Sequence, residues 1–535
     1  MKKIILIFII ALAFILRFYR LGDYPALNAD EAAIGYNAYS LMETGKDEHG
    51  NPWPIHFQSF NDYKPGAYFY MVLPFIKFMG LNEWAVRIPG AFLGVLAVLV
   101  VYFLVKELFK DEKTSLIAGF MLAISPWHIH FSRGGWEVNV ATFFITFGIL
   151  VFLKALKNPK LFTFSFLLFT LSLYSYHAAR IVVPLLGLGL TLIYLKDIKE
   201  NLKGFVIAGV IGMVLLLPLA KDLFGPAGVS RAAGVGLFAD EGPFNRINEQ
   251  RGEHTNFASI VPKVLHNKPV NYGLAFVQNW AEHYHGEFLF LSGDDIQRNK
   301  VPETGQMYLL DAVWLVIGGW WLVKNTKNKS VQLILYWLLI APVAAALTFQ
   351  SPHSLRAHNM VIPLVITGSI GFNFLFTGFR GRLKILKWIL IFVISLSFGR
   401  YLHMYYVHMA KEYPFSSQYG VKELASYIKD NGDKYQKVWV TDRYDQPYIL
   451  LLFYLKHSPV EFQKGHELTP RARFGFSTVR DFDKFHFEGV NFDKIRPENP
   501  NALIVGTDEE IHDEANIVKE IYGANGYKYF QVVAN

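Results

Sequence analysis

Cysteine is absent from the 535 residues, so disulfides and thiolate sites are excluded and the redox compartment is left open. Charge is scarce: Asp, Glu, Lys and Arg make up 18% of the chain, against 52% hydrophobic residues. It is scarcest at the centres of apolar runs near twenty residues long, which rules out a string of soluble domains. A helix needs about 20 apolar residues to cross the hydrocarbon, so these runs describe a polytopic membrane protein. Also missing are a P-loop, a GxGxxG after a strand, a GxSxG in a credible elbow, tandem repeats and low-complexity tracts. Aromatics, in contrast, reach 16%, with Trp and Tyr often near the ends of the runs, where amphipathic rings favour the interface. The formal net charge of +8 fits cytoplasmic loops, and nucleic acid is not an expected partner.

The segment Met1–Arg20 begins with Lys2 and Lys3 and ends in Leu16-Arg17-Phe18-Tyr19-Arg20. It lacks a small-residue cleavage site and reads as an uncleaved anchor helix. Eleven spans are expected, at about Ile4–Tyr19, Glu83–Val105, Thr114–Phe131, Val138–Leu153, Leu161–Tyr176, Ile181–Leu195, Leu202–Leu219, Met307–Val323, Val331–Phe349, Asn359–Phe376 and Leu386–His403. Alternate connections are rich in lysine, as in Lys106/Lys110/Lys113 and Lys154/Lys157/Lys160, whereas the other short ones hold one arginine each: Arg133, Arg180 and Arg356. The positive-inside rule places the amino terminus in the cytoplasm and the carboxyl terminus outside. Pro65–Gly80 is apolar but short and interrupted by Pro74, and counting it as a span inverts every later loop. It therefore reads as an interfacial or re-entrant helix.

The expected fold is mainly α: a membrane domain over residues 1–410 and a small extracytoplasmic α/β domain over 411–535. In the latter, Gly420–Asn431 has a helical pattern, while Val438–Thr441, Ala502–Val505 and Tyr527–Val533 read as strands. Two outer loops are long, 21–82 and 221–306, and long loops in compact proteins tend to be lids or binding segments.

The first long loop carries Asn28-Ala29-Asp30-Glu31, which fits a capping box opening an amphipathic helix through about Met42. The cap accounts for Glu31. It does not require Asp30, and a carboxylate among apolar helices suits a general base; both acids in a first turn favoured by the helix dipole is the alternative. Lys64, in Asp62-Tyr63-Lys64-Pro65-Gly66, is a point charge suited to phosphate or, equally, a snorkelling interfacial lysine. Arg133, Arg180 and Arg356, with Trp136, His177 and His358 nearby in sequence, suggest a collar for an anionic headgroup or pairs with lipid phosphates. In Trp280-Ala281-Glu282-His283-Tyr284-His285-Gly286-Glu287 the two histidines are two apart, a spacing less suited to metal than to aromatic-lined contact with a sugar or acceptor. Arg298 is a further cation.

The Asp-Glu pair, Lys64-Pro65 before an interfacial helix, Trp84-Ala85-Val86-Arg87-Ile88-Pro89-Gly90, His130-Phe131-Ser132-Arg133-Gly134-Gly135-Trp136-Glu137 and Gly286-Glu287-Phe288-Leu289-Phe290 occur in an order that resembles the GT-C membrane glycosyltransferases. The resembling branch is that of protein O-mannosyltransferases and aminoarabinose transferases, over about residues 1–400. The resemblance implies transfer of a sugar from a polyprenyl-phosphate carrier to a hydroxyl acceptor (protein, lipid or glycan) on the extracytoplasmic face, with inversion and without metal or other cofactor. It makes Asp30 the catalytic carboxylate, with Glu31 in support, and Lys64 the donor-phosphate contact, helped by Arg133, Arg180, Arg298 and Arg356. Tyr63, Trp136, His177, His283, His285 and His358 are then candidate substrate contacts. Where that family has Lys-Pro-Pro this chain has Lys64-Pro65-Gly66, which is expected to loosen the turn. The competing readings are a transporter or lipid-carrier-binding protein, a metal-dependent oligosaccharyltransferase-like enzyme, and a glycan sensor. Transporters place ionisable groups at the midplane, where this chain has almost none.

Overall fold

The computed structural model describes residues 2–60, 62–225, 228, 234–416, 418–470 and 477–535, so part of the second long loop, in 226–233, lies outside the described residues. A helix or helix pair stands at each of the eleven expected spans. By length and composition, six of the described helical stretches are long and apolar enough to cross a membrane: Glu83–Phe109, Glu137–Ala155, Leu202–Leu223, Lys329–Ala346, His358–Gly378 and Ile385–Glu412. The helices at the remaining positions are shorter, such as Leu161–Ser175 and Ala179–Ile193. Two spans expected as continuous are interrupted at proline. Helix Glu112–Ile124 ends before Pro126, which opens Pro126–Ser132, and Lys329–Ile340 is followed by Pro342 and then Val343–Ala346. Proline has no N–H for the helical ladder and restricts the residue before it.

The chain divides into two compact units. The first comprises Met1–Leu16, Leu93–Ser132 and Glu137–Tyr401. In it, helix Asp311–Lys324 packs against Val361–Gly378 at backbone contact: a methyl group at Gly318 would lie 2.0 Å from the Thr367 carbonyl oxygen, and one at Gly371 2.0 Å from that of Trp314. Such small-residue contacts let helices associate where water supplies no hydrophobic drive. An apolar cavity of about 290 Å³ lies among Ile9, Phe120, Met121, Trp314, Phe372 and Ile394.

The second unit joins Arg17–Phe92 and Arg133–Trp136 to Leu402–Asn535. The first long loop thus packs with the carboxyl-terminal region, a division different from the expected boundary near residue 410. Label α1 (Lys2–Phe18), α2 (Ala29–Thr44), β1 (His56–Ser59), β2 (Asp62–Pro65), α3 (Ala67–Met79) and α4 (Glu83–Phe109). The expected interfacial segment is α3, 13 residues long, with Tyr68, Phe69, Val72 and Ile76 buried. Helix α2 is not amphipathic: it is buried on nearly every side, because α3 covers one flank and helices Pro447–Leu455 and Pro459–Lys464 cover others. At Gly35 the approach is so close that a methyl would stand 2.5 Å from the Phe453 ring.

The carboxyl-terminal sheet has seven strands: β3 (Lys437–Val440), β4 (His466–Leu468), β5 (Val479–Phe482), β6 (Phe485–Phe487), β7 (Ala502–Gly506), β8 (Ile517–Tyr522) and β9 (Lys528–Ala534), in the order β4-β5-β6-β3-β7-β9-β8. Strands β6, β3 and β7 run parallel at the centre, and the outer pairs are antiparallel. Strand β7 is buried throughout, which explains its unbroken apolar sequence.

Candidate active site

The site begins at the amino-terminal end of α2. The Asn28 side chain accepts from the Glu31 amide at 3.0 Å, and the Glu31 carboxylate accepts in return from the Asn28 amide at 3.3 Å, so the capping box is complete. Glu31 is only 1% exposed and is held by Arg87 of α4 in a two-pronged pair, Nε–Oε1 2.6 Å and Nη2–Oε2 2.7 Å. The Gly135 amide donates to the same Oε1 at 2.9 Å. Arg87, wholly buried, spends its other donors on the carbonyls of Leu21, Pro25 and Ala26. Such a pair, closed by further hydrogen bonds, survives burial, whereas either half alone would be a bare charge in an apolar interior. Glu31 is thus a fastening point for the loop and for Gly135.

Asp30 faces elsewhere. Its carboxylate pairs with Lys64 of β2, and the two side chains remain 25% and 14% exposed. The β1–β2 register sets Lys64 opposite Phe57, and its ammonium also lies 4.8 Å from the centre of the Phe60 ring. The turn after Lys64 is not loosened by glycine. The Gly66 amide donates to Ile55 O at 2.9 Å, a bond proline cannot make, and a Cβ there would lie 2.7 Å from the same oxygen. Tyr63, on β2, is half-buried and registers with Gln58.

Arg133, expected as a phosphate contact, is fully buried. It donates to Tyr24 O at 3.1 Å and Tyr405 Oη at 3.2 Å, and lies 5.4 Å from the ring centres of both Tyr405 and Tyr406. Trp136 is also buried, and Gly134 is required beside it: a methyl there would stand 2.5 Å from the indole nitrogen.

The other expected residues fall in the first unit. Arg180 and His177 meet at 2.9 Å (Nη1 to Nδ1). Arg356 is buried and donates to Thr348 Oγ1 at 2.8 Å and Gln350 Oε1 at 3.2 Å. His283 is buried between Asn279 O, 2.7 Å from Nδ1, and the His353 amide, 3.1 Å from Nε2; burial drives it down to about 4. His358 is buried with Nδ1 3.0 Å from Thr142 Oγ1. Arg298 and His285 are exposed. Among the described residues no group of three or more His, Asp or Glu side chains is arranged to hold a metal ion.

A family model described as "Dolichyl-phosphate-mannose-protein mannosyltransferase" matches residues 7–199. An uncharacterized protein of Aquifex aeolicus is 28% identical over 219 residues, a match spanning 41% of this chain and 42% of the relative. The crystal structure of ArnT from Cupriavidus metallidurans in the apo state superposes with a TM-score of 0.57 at 11% identity, covering 98% of this chain and 97% of that one. The same ArnT bound to undecaprenyl phosphate gives 0.54 at 12% identity over the same shares. The apo oligosaccharyltransferase of Archaeoglobus fulgidus gives 0.52 at 12% identity, covering 95% of this chain and 70% of that one. The fold is that of the GT-C membrane glycosyltransferases. The family model's range includes Asp30, Glu31, Lys64, Arg87 and Arg133, and stops short of His283, Arg298 and Arg356.

Among the groups of this GT-C fold that sequence reasoning passed over, Arg87 left the clearest signal: an arginine inside an otherwise apolar span, expensive unless paired. Gln418, whose side chain accepts from the Ala29 amide, left none, since nothing in a sequence places it 389 positions away beside the cap.

Proposed function

We propose that the chain is an integral membrane glycosyltransferase that moves a sugar from a polyprenyl-phosphate carrier to a hydroxyl acceptor on the extracytoplasmic face, with Asp30 as general base. The observation that carries this reading is the division between adjacent carboxylates. Glu31 is committed to the fold on all sides, while Asp30 is partly exposed and paired to a cation suited to phosphate.

Asp30 takes the proton from the acceptor hydroxyl as that oxygen attacks the anomeric carbon. The bond from that carbon to the phosphate oxygen breaks on the opposite face, which inverts the centre, and the leaving phosphate carries the electron pair away. Lys64 meets the growing charge, and such electrostatic stabilisation is often the largest contribution to the rate. In the absence of donor, Lys64 is held by Asp30; a phosphate arriving at Lys64 competes for the ammonium and weakens its hold on the Asp30 carboxylate, which then accepts a proton more readily. The scheme draws on the donor and the acceptor and on no further small molecule. Arg87 and Arg133 serve by holding the loop and Trp136 segment in place, while Arg180, Arg298 and Arg356 are assigned no contact with the reacting atoms.

The deciding experiment is transfer from a polyprenyl-phosphate sugar by wild type and Asp30→Asn, with lipid-linked sugars and glycans followed by mass spectrometry. Loss of transfer with retained donor binding is expected, and transfer at the wild-type rate would falsify the base assignment. Turnover that collapses on chelation and returns with a divalent metal would favour an oligosaccharyltransferase-like, metal-dependent chemistry instead.

A further inference from the structure

Within electrostatic reach of Lys64, the second unit buries a carboxyl group that the proposed reaction does not use. Glu48 is wholly inaccessible, and among the described residues neither of its carboxyl oxygens meets a donor at hydrogen-bonding geometry. The Glu48 amide donates to Asn37 Oδ1 of α2 at 2.9 Å and His49 follows it in the chain, while Tyr36 of α2, Asp47, Lys64 of β2 and Tyr448 of helix Pro447–Leu455 lie within electrostatic reach.

The proton positions around it follow from donor and acceptor logic. His466 Nδ1 lies 2.9 Å from Phe462 O, and a carbonyl can only accept, so Nδ1 carries the hydrogen. In neutral His466 the other nitrogen, Nε2, is then a bare lone pair. It faces His49 Nδ1 at 3.1 Å, so His49 donates from Nδ1 and its own Nε2 is left bare. That lone pair stands 3.6 Å from Glu48 Oε1. A carboxylate there would set one lone pair against another, whereas a carboxylic acid supplies the hydrogen that the gap calls for. The electrostatics agree: burial pushes Glu48 up to about 8, against the pull of Lys64, and burial drives His49 down to about 3.

We infer that Glu48, His49 and His466 form a buried proton relay that keeps Glu48 uncharged and so reserves the Lys64 ammonium for Asp30 and the donor phosphate. The phosphate half rests on the function proposed above; the relay does not. Glu48 is a positioning residue: it does not reach the reacting atoms, and it acts by not competing for Lys64. Once it ionises, a second carboxylate faces the same ammonium in a low-dielectric interior, and phosphate has to compete with both.

The test uses the full chain in detergent micelles or nanodiscs. Infrared difference spectra of wild type at pH 6.5 should contain the C=O stretch of a protonated carboxyl group that disappears in Glu48→Gln and, in wild type, gives way to carboxylate as pH rises past 8. Binding of undecaprenyl phosphate, the probe for the site, should weaken up to about tenfold from pH 7 to pH 9 in wild type and stay nearly flat in Glu48→Gln, as expected when one competing group titrates. A wild-type spectrum without the protonated band overturns the relay. So does a Glu48→Gln variant that keeps the wild-type pH profile. If that variant does not fold, His49→Phe removes the acceptor and should lower the pH at which the band is lost; an unmoved band also overturns the relay. An intact band with no probe binding at any pH instead overturns the role given to Lys64, so the two failures are told apart.

Discussion

The two units bury polar groups differently. In the first, most of the deeply buried polar side chains are neutral or paired with neutral groups: His283 between a carbonyl and an amide, His358 against a threonine, Arg356 on a hydroxyl and a side-chain amide. The second buries formal charge and neutralises it in place: Arg87 with Glu31, and Arg133 over two tyrosine rings. Desolvated charges are costly, so a region that keeps several of them close together is fixing geometry around a site rather than adding stability. That contrast separates the Asp30–Lys64 neighbourhood from the histidine-rich loops.

The largest break in the comparison should come at the partly exposed carboxylate, Asp30. Asp30→Asn is expected to lower transfer by about 10²–10⁴-fold with an unchanged melting temperature, since a positioned general base contributes about that much. Lys64→Ala should lower kcat, through the lost stabilisation of the leaving phosphate, and should weaken donor binding as well, both read from steady-state kinetics. Glu31→Ala should act the other way round, costing about 3–5 kcal/mol of stability by leaving Arg87 buried and unpaired, as measured by thermal unfolding in detergent.

Next in size is a pH effect on the stability of the second unit. Glu48 holds its proton more tightly folded than unfolded, so its contribution falls as pH rises from about 4.5 towards 8. His49 binds its proton less tightly folded, so its contribution falls as pH drops from about 6.5 towards 3. The two slopes oppose each other between 4.5 and 6.5, and only that of Glu48 remains above 6.5. Glu48→Gln should therefore raise the melting temperature more at pH 8 than at pH 5; an equal shift at both would contradict the assignment. The smallest effect should be in the first unit, where His285→Ala, at an exposed position, is expected to change stability by no more than about 0.5 kcal/mol.

Periodicity and charge were enough to locate a helix at every expected span, because a twenty-residue apolar run has few alternatives. They missed the breaks at Pro126 and Pro342 and overlooked strands such as β5, where Val479-Arg480-Asp481-Phe482 is too short and too charged to stand out. The amphipathic reading of α2 failed for a tertiary reason: its polar face is covered by helices more than 400 positions away. At the site, the capping box and the distinct standing of Asp30 were readable from a few neighbouring letters. The burial and partners of Arg133 and His283 were not, since an arginine or histidine in a loop looks the same whether it ends exposed or buried against backbone. Gly66 was misread as slack because only the fold reveals the Ile55 carbonyl waiting for its amide.

The knot of Glu31, Arg87 and Gly135 also bears on how such chains diverge. Losing Glu31 strands a guanidinium and losing Arg87 strands a carboxylate, so neither position can drift by itself without passing through a poorly folding intermediate. Lysine at 87 is no refuge, because a three-donor ammonium cannot replace a planar fork that holds a carboxylate and three carbonyls at once. Over long histories residues 31 and 87 should therefore change as a linked pair or not at all, while the surfaces around them wander freely.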